Sequence, residues 1–63
     1  MSFKTLLNAK GEEVTVSVKD AKTGEIVQVS RLNDLSDKSL VAEAKKNGAT
    51  QVSDSATGEQ SPL

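Results

Sequence analysis

Carboxylates, lysines and hydroxyls are the only side chains here that could do chemistry, because histidine, cysteine and tyrosine are all absent. Their absence removes the usual general bases and thiol nucleophiles. One grouping resembles a nucleophile with its activator: Ser36, Lys38 and Ser39, a Ser–Lys pair on paper. The same residues read more economically as the polar start of a helix facing water. Glu12-Glu13, and Asp34 with Asp37, are the acidic clusters, but no Asp-x-Asp-x-Asp-Gly spacing occurs to gather oxygen ligands around a cation. They fit solvated strand and helix ends. Neither Gly-x-Gly-x-x-Gly nor Gly-x4-Gly-Lys-Ser/Thr is present, so the glycines read as turn and cap residues rather than a phosphate cradle. The pattern points away from catalysis, metals, cofactors and small-molecule substrates.

Lys4, Lys10, Lys19, Lys22, Arg31, Lys45 and Lys46 could gather on one side and meet nucleic acid. The formal net charge of -1 opposes that, and single-strand readers of the sheet type stack bases on exposed aromatics, whereas Phe3 is the sole aromatic residue. Lys45 and Lys46 also have a simpler role at a helix C-terminus. Nucleic-acid binding therefore ranks behind protein association.

The elements that would position these groups are set out by a repeated phrase. Asn8-Ala9-Lys10-Gly11-Glu12-Glu13-Val14-Thr15-Val16 returns as Asp20-Ala21-Lys22-Thr23-Gly24-Glu25-Ile26-Val27-Gln28-Val29, with one residue inserted in the turn. Each copy is a turn and then a strand. Phe3 to Leu7 reads as a first strand, closed by a three-residue hairpin with a glycine bulge at Gly11. Glu12 to Lys19 alternates Val14, Val16 and Val18 with polar residues, which puts valine on one face. A third strand runs from Glu25 to Leu32. If Asp20 faces Glu25, Val18 falls opposite Val27, Val16 opposite Val29 and Val14 opposite Arg31. For the first hairpin two registers stay open: Leu6 against Val14, or Phe3 and Thr5 over Val16 and Val14.

After Leu32 the pattern becomes helical. Ser36 fits an N-cap, Leu35 and Leu40 fit a hydrophobic staple, and Asp37 puts negative charge at the positive end. Lys45 and Lys46 fall in the last turn, with Asn47-Gly48 as the left-handed stop. A helix of ten residues spans about 15 Å and does not persist alone, so Leu40, Val41 and Ala44 are expected to lie on the valine face.

Residues 1–48 carry 8 basic and 7 acidic groups, whereas 49–63 carry 2 acidic and no basic ones. This reads as a single domain over 1–48 with a polar, weakly acidic C-terminal tail over 49–63, and a short fourth strand through Val52 as an option. Ala56-Thr57-Gly58-Glu59 echoes the turn phrase without a Val-x-Val after it. The fold class is α+β: a three-stranded antiparallel β-meander with one short α-helix on its valine face.

A 63-residue chain buries roughly 60% of its unfolded surface and is marginally stable, and neither disulfides nor a zinc site can reinforce it. A well-idealised local structure, oligomerisation or docking onto a larger partner are the remaining routes to useful stability, which makes association an expectation. A meander exposes its first and third strands as edges able to accept another strand. Phe3, Ile26, Leu32, Val52 and Leu63 are the apolar residues expected at such an interface. Met1 to Leu7 reads as the native start, since it lacks the apolar region of about 7–15 residues that a secretory signal needs. No run approaches the roughly 18 apolar residues of a membrane span. The expectation is a soluble, non-enzymatic interaction protein, cytoplasmic or incorporated in a virion-like assembly. Its most concrete form is an accessory subunit such as a virion-type decoration or cementing protein. The alternatives are a small regulator that binds and inhibits one protein partner, and a nucleic-acid-binding accessory protein.

Overall fold

Glycine-closed turns set the geometry of the computed structural model, which describes residues 3–63. Met1, and with it the expectation about the native start, lies outside them. Strand β1 is Lys4–Leu7, β2 Val16–Lys19, β3 Ile26–Val29 and β4 Arg31–Leu32; helix α1 is Lys38–Lys46; β5 is Gln51–Asp54 and β6 Gln60–Pro62. The strands form a four-stranded sheet in the order β4-β1-β5-β6 and a two-stranded sheet β2-β3, antiparallel throughout. The small α+β fold expected from the sequence is present.

The first turn has the three-residue bulged form. Asn8 N–H donates to Glu12 C=O (2.8 Å), Gly11 N–H donates to Asn8 C=O (3.0 Å), and Gly11 sits at φ +83°. This selects the Leu6–Val14 register, since Val14 N–H donates to Leu6 C=O (2.9 Å) and Leu7 bridges Glu13. Beyond that bridge the chain leaves β1, and β2 begins only at Val16.

The second hairpin has the register expected from burial: Val18 pairs with Val27 and Val16 with Val29. The expected Val14–Arg31 pairing does not form. The long third strand is divided at Ser30, whose C=O accepts Leu6 N–H (2.8 Å), and Arg31 and Leu32 pair with Thr5 and Lys4 instead. Leu6 is therefore a fork, with its N–H bonded to the β3–β4 junction and its C=O to the approach to β2. Its side chain is fully buried there with that of Val16. Arg31 gains a second hold on this edge, its guanidinium carbon 5.0 Å from the Phe3 ring centroid, a cation–π contact.

The segment 49–63, read from sequence as a tail, instead supplies two strands. β5 pairs along the whole of β1, Leu6 opposite Val52, and β6 pairs with β5. The apolar cluster unites Leu6, Val14, Val16, Ala44, Ala49 and Val52, with Val18, Val29, Leu32, Leu35, Leu40 and Leu63 packed around it. Removing 49–63 would strip Ala49 and Val52 from that cluster and expose one whole edge of β1. The polar composition of the segment misleads because β5 buries a single residue, Val52, while its other three stay half-buried.

The helix lies against β2, as expected, with Ala44 fully buried and Leu40 on the core. Two details differ. The N-cap is Asp37, whose carboxylate accepts from the amides of Ser39 (2.9 Å) and Leu40 (3.3 Å). Ser36 donates its hydroxyl to Asp34 instead (2.7 Å). A carboxylate at the positive end of the helix satisfies the same orphan amides and adds charge complementarity, which favours it over the neighbouring serine. The start is thereby moved one residue along. Val41, expected on the valine face, is instead half-buried on the outer side of the helix, because Leu40 and Ala44 hold the core-facing side.

Candidate functional site

The clustered carboxylates singled out in the sequence, Glu12, Glu13, Asp34 and Asp37, each have a structural partner. Besides its bond from Ser36, Asp34 accepts that residue's amide, and the two bonds hold its carboxyl below the ordinary value of 3.8. Lys38 makes no hydrogen bond to Ser36 or Ser39 among the described residues, so no Ser–Lys pair assembles. Glu12 and Glu13 diverge, one accepting from the Asn8 amide and the other from the Ser30 hydroxyl across the fork. Among the described residues no three potential metal ligands converge. No described helix is long and apolar enough to cross a membrane.

The edges of the strands are more informative. Along β2 the outer edge is capped by the helix: Ser17 N–H donates to the Glu43 carboxylate (2.8 Å), and Thr15 C=O accepts from the Asn47 side chain (2.9 Å). Glu43 and Asn47 stand four positions apart and share one helix face. Sequence reasoning missed both, although two hydrogen-bonding residues flanking buried Ala44 were a usable signal. On β6 the edge ends in Pro62, which has no N–H to offer. Across β1 and β5, Lys4 meets Asp54 at 3.1 Å. The Ala56 amide, and after it this ammonium, holds the Asp54 carboxyl below its ordinary value.

β3 is different. Asp20 N–H donates to Glu25 C=O (2.8 Å), and the register places 18 opposite 27 and 16 opposite 29, so the hydrogen-bonded residues of β3 toward β2 are odd-numbered. Ile26 and Gln28 therefore direct their backbone groups to the other side, where no described strand pairs with them. Ile26 is 64% and Val27 37% exposed, the two large apolar residues that stand out on the surface among the described residues. The Gln28 side chain donates to the Ser17 hydroxyl (2.6 Å), which stiffens the outer face of the hairpin.

The five residues expected at an interface are thus dispersed. Ile26 is exposed on β3. Phe3 is half-buried beneath Arg31. Val52 belongs to the core, while Leu32 and Leu63 are half-buried against it. Leu63 also donates its N–H to Thr50 C=O (3.1 Å). Of these five, Ile26 is the exposed one, at the start of the outward edge of β3 with Val27 beside it; the short β4, Arg31–Leu32, is also an edge and carries no exposed apolar residue. Comparison of the chain with protein-family models, with curated proteins and with solved structures returns no match.

Proposed function

We propose that this protein is a small non-enzymatic interaction protein, an accessory subunit that joins a larger assembly by adding the β3 edge to a strand of its neighbour. The reading rests on one observation: β3 offers backbone groups of Ile26 and Gln28 that no described strand pairs, beside exposed apolar side chains, while the β2 edge is capped by Glu43 and Asn47. Proteins usually blunt such edges, and one left open accepts a strand through main-chain hydrogen bonds. A virion-type decoration or cementing protein is the concrete form proposed. Many copies, each with a small core and no covalent reinforcement, would gain order from their neighbours. The proposed location is cytoplasmic or within a virion-like particle.

The test is the native mass of the untagged protein with whatever it binds, for the wild type and for Gln28→Pro. Because the Gln28 N–H points away from β2, proline there removes an outward donor and no backbone ladder bond, and Gln28→Ala, which like proline loses the side-chain bond to Ser17 but keeps the N–H, is the control. A multicopy particle lost in Gln28→Pro supports the reading. A one-to-one heterocomplex supports the inhibitory regulator instead, and a complex unaffected by Gln28→Pro rejects the β3 edge as the contact.

A further inference from the structure

The helix has a face that the core does not use. Val41 and Ala42, with Leu35 from the preceding loop, line a groove of about 320 Å³ that is also lined by Lys38 and Lys45. Within the helix these residues are spaced i, i+3, i+4 and i+7, so they form one stripe. Leu35 and Val41 are half-buried, while Lys38, Ala42 and Lys45 are exposed.

The two charged residues that line this groove are both lysines, and the carboxylates near it are engaged elsewhere. Asp34 is bound to Ser36, Asp37 caps the helix amides, and Glu43 reaches across to the Ser17 amide. Neither Lys38 nor Lys45 forms a salt bridge among the described residues. Lys45 suits the negative end of the helix dipole. Lys38 does not, because it stands in the first turn, where an anion is favoured and where α1 has no acidic residue. A cation placed against the local rule, beside an apolar groove, is a mark of a binding role.

We propose that this groove docks an acidic linear segment of a partner protein, with one large apolar side chain between Leu35 and Val41 and flanking carboxylates on Lys38 and Lys45. The groove is open to solvent, and its apolar lining of Leu35, Val41 and Ala42 can receive one side chain. A bilayer surface would require a broad apolar helix face, and here Leu40 and Ala44 are turned into the core. Nucleic acid would find no aromatic platform among the groove residues. The site is separate from the β3 edge, since α1 covers one edge of β2 and β3 lies along the other.

Selection of a random linear peptide library on the immobilised full chain tests this, run on the wild type and on Lys38→Glu/Lys45→Glu. The enriched wild-type sequences should carry one Leu, Ile or Phe flanked by Asp or Glu. A synthetic peptide of the enriched sequence should lose roughly tenfold or more in affinity in the double variant, weaken with added salt, and bind Ile26→Lys as well as wild type. Loss of binding in Ala42→Arg, which fills the groove, separates insertion from charge attraction alone. The proposal is overturned if no sequence is enriched, if the enriched peptides lack acids or an apolar anchor, or if the double variant selects the same peptides. It is equally overturned if Ala42→Arg binds as wild type, or if phosphatidylcholine vesicles doped with phosphatidylserine bind the wild type while no peptide does.

Discussion

Two hairpins in this molecule share one turn and differ in the strands that the turn joins. Asp20-Ala21-Lys22-Thr23-Gly24-Glu25 and Asp54-Ser55-Ala56-Thr57-Gly58-Glu59 have the same Asp, Thr, Gly and Glu at the same places. The aspartate N–H donates to the glutamate C=O at 2.8 Å in both, and the glycine N–H donates to the aspartate C=O at 2.8 and 2.7 Å. The aspartate carboxylate accepts the amide two residues on at 2.8 and 2.9 Å. The threonine hydroxyl accepts the glutamate amide at 3.3 and 3.2 Å. After the first turn come Ile26 to Val29, an open apolar edge; after the second come Gln60 to Pro62, polar and ended by proline. The strand before the second turn, β5, pairs along the whole of β1, whereas the β2–β3 hairpin meets β1 at one fork. A turn is thus a local solution that transfers intact, while the use made of its strands depends on what they pack against.

The largest test of this contrast is charge burial in each hairpin. Val16→Asp and Val52→Asp should both abolish folding, each costing more than about 3 kcal/mol by placing an unpaired carboxylate in the shared core. Val27→Asp, on the exposed end of β3, should cost about 1 kcal/mol or less. Chemical denaturation monitored by circular dichroism reads all three. A Val52→Asp variant as stable as wild type would return 49–63 to the status of a tail.

Next in size is the edge cap of β2. Glu43→Ala should destabilise by about 1–2 kcal/mol, since the half-buried Ser17 amide loses a charged acceptor. Hydrogen exchange should then quicken at Ser17 and leave the β5 amides protected. Uniform loss of protection would mean that the two hairpins open as one unit.

The twin turns themselves should respond alike. Gly24 and Gly58 have φ of +76° and +73°, and an added Cβ would meet nothing closer than the Lys19 side chain at 3.9 Å near Gly24. Gly24→Ala and Gly58→Ala should therefore each cost about 1–2 kcal/mol, from backbone conformation alone. Clearly unequal melting shifts would break the equivalence of the turns.

The smallest expected effect concerns acid. Asp54 is held below its ordinary 3.8 by the Ala56 amide and Lys4. Its ionised form therefore contributes stability that is fully present above the unfolded value and is lost as the pH falls through the lower, folded one. Asp54→Asn should flatten the stability profile below pH about 4, and Asp34→Asn should act likewise before the helix, where the Ser36 bonds lower the carboxyl. Profiles that keep the wild-type slope in both variants would contradict these assignments.

Much of the fold was legible in the residues because it is local. The glycine-closed turns, the valine alternation, the Val16–Val29 register and the Asn47-Gly48 stop all depend on spacing within a few residues. The division of the third strand at Ser30 was not legible, because it depends on Leu6, more than twenty positions away, taking the edge that Val14 would have needed. Nor was the N-cap, since Ser36 and Asp37 are both good caps and adjacent, and the carboxylate took the helix amides while Ser36 turned to Asp34. At the candidate sites, exposed Ile26 could be foreseen from its place opposite the valine face. Buried Val52 could not, because a lone valine among polar residues carries no periodicity.

By itself, the sequence determined the class of fold, the turns and the lack of imidazole, thiol and phenol chemistry, because each depends on residue type or short-range geometry. The tertiary structure alone decided that 49–63 completes the main sheet, that the helix caps β2 and leaves β3 open, and that Val41 faces outward beside Lys38 and Lys45. Those outcomes depend on which distant strand satisfies the two edges of β1. In a chain of 63 residues with so few large apolar side chains, that competition for backbone partners is settled only when the whole core forms.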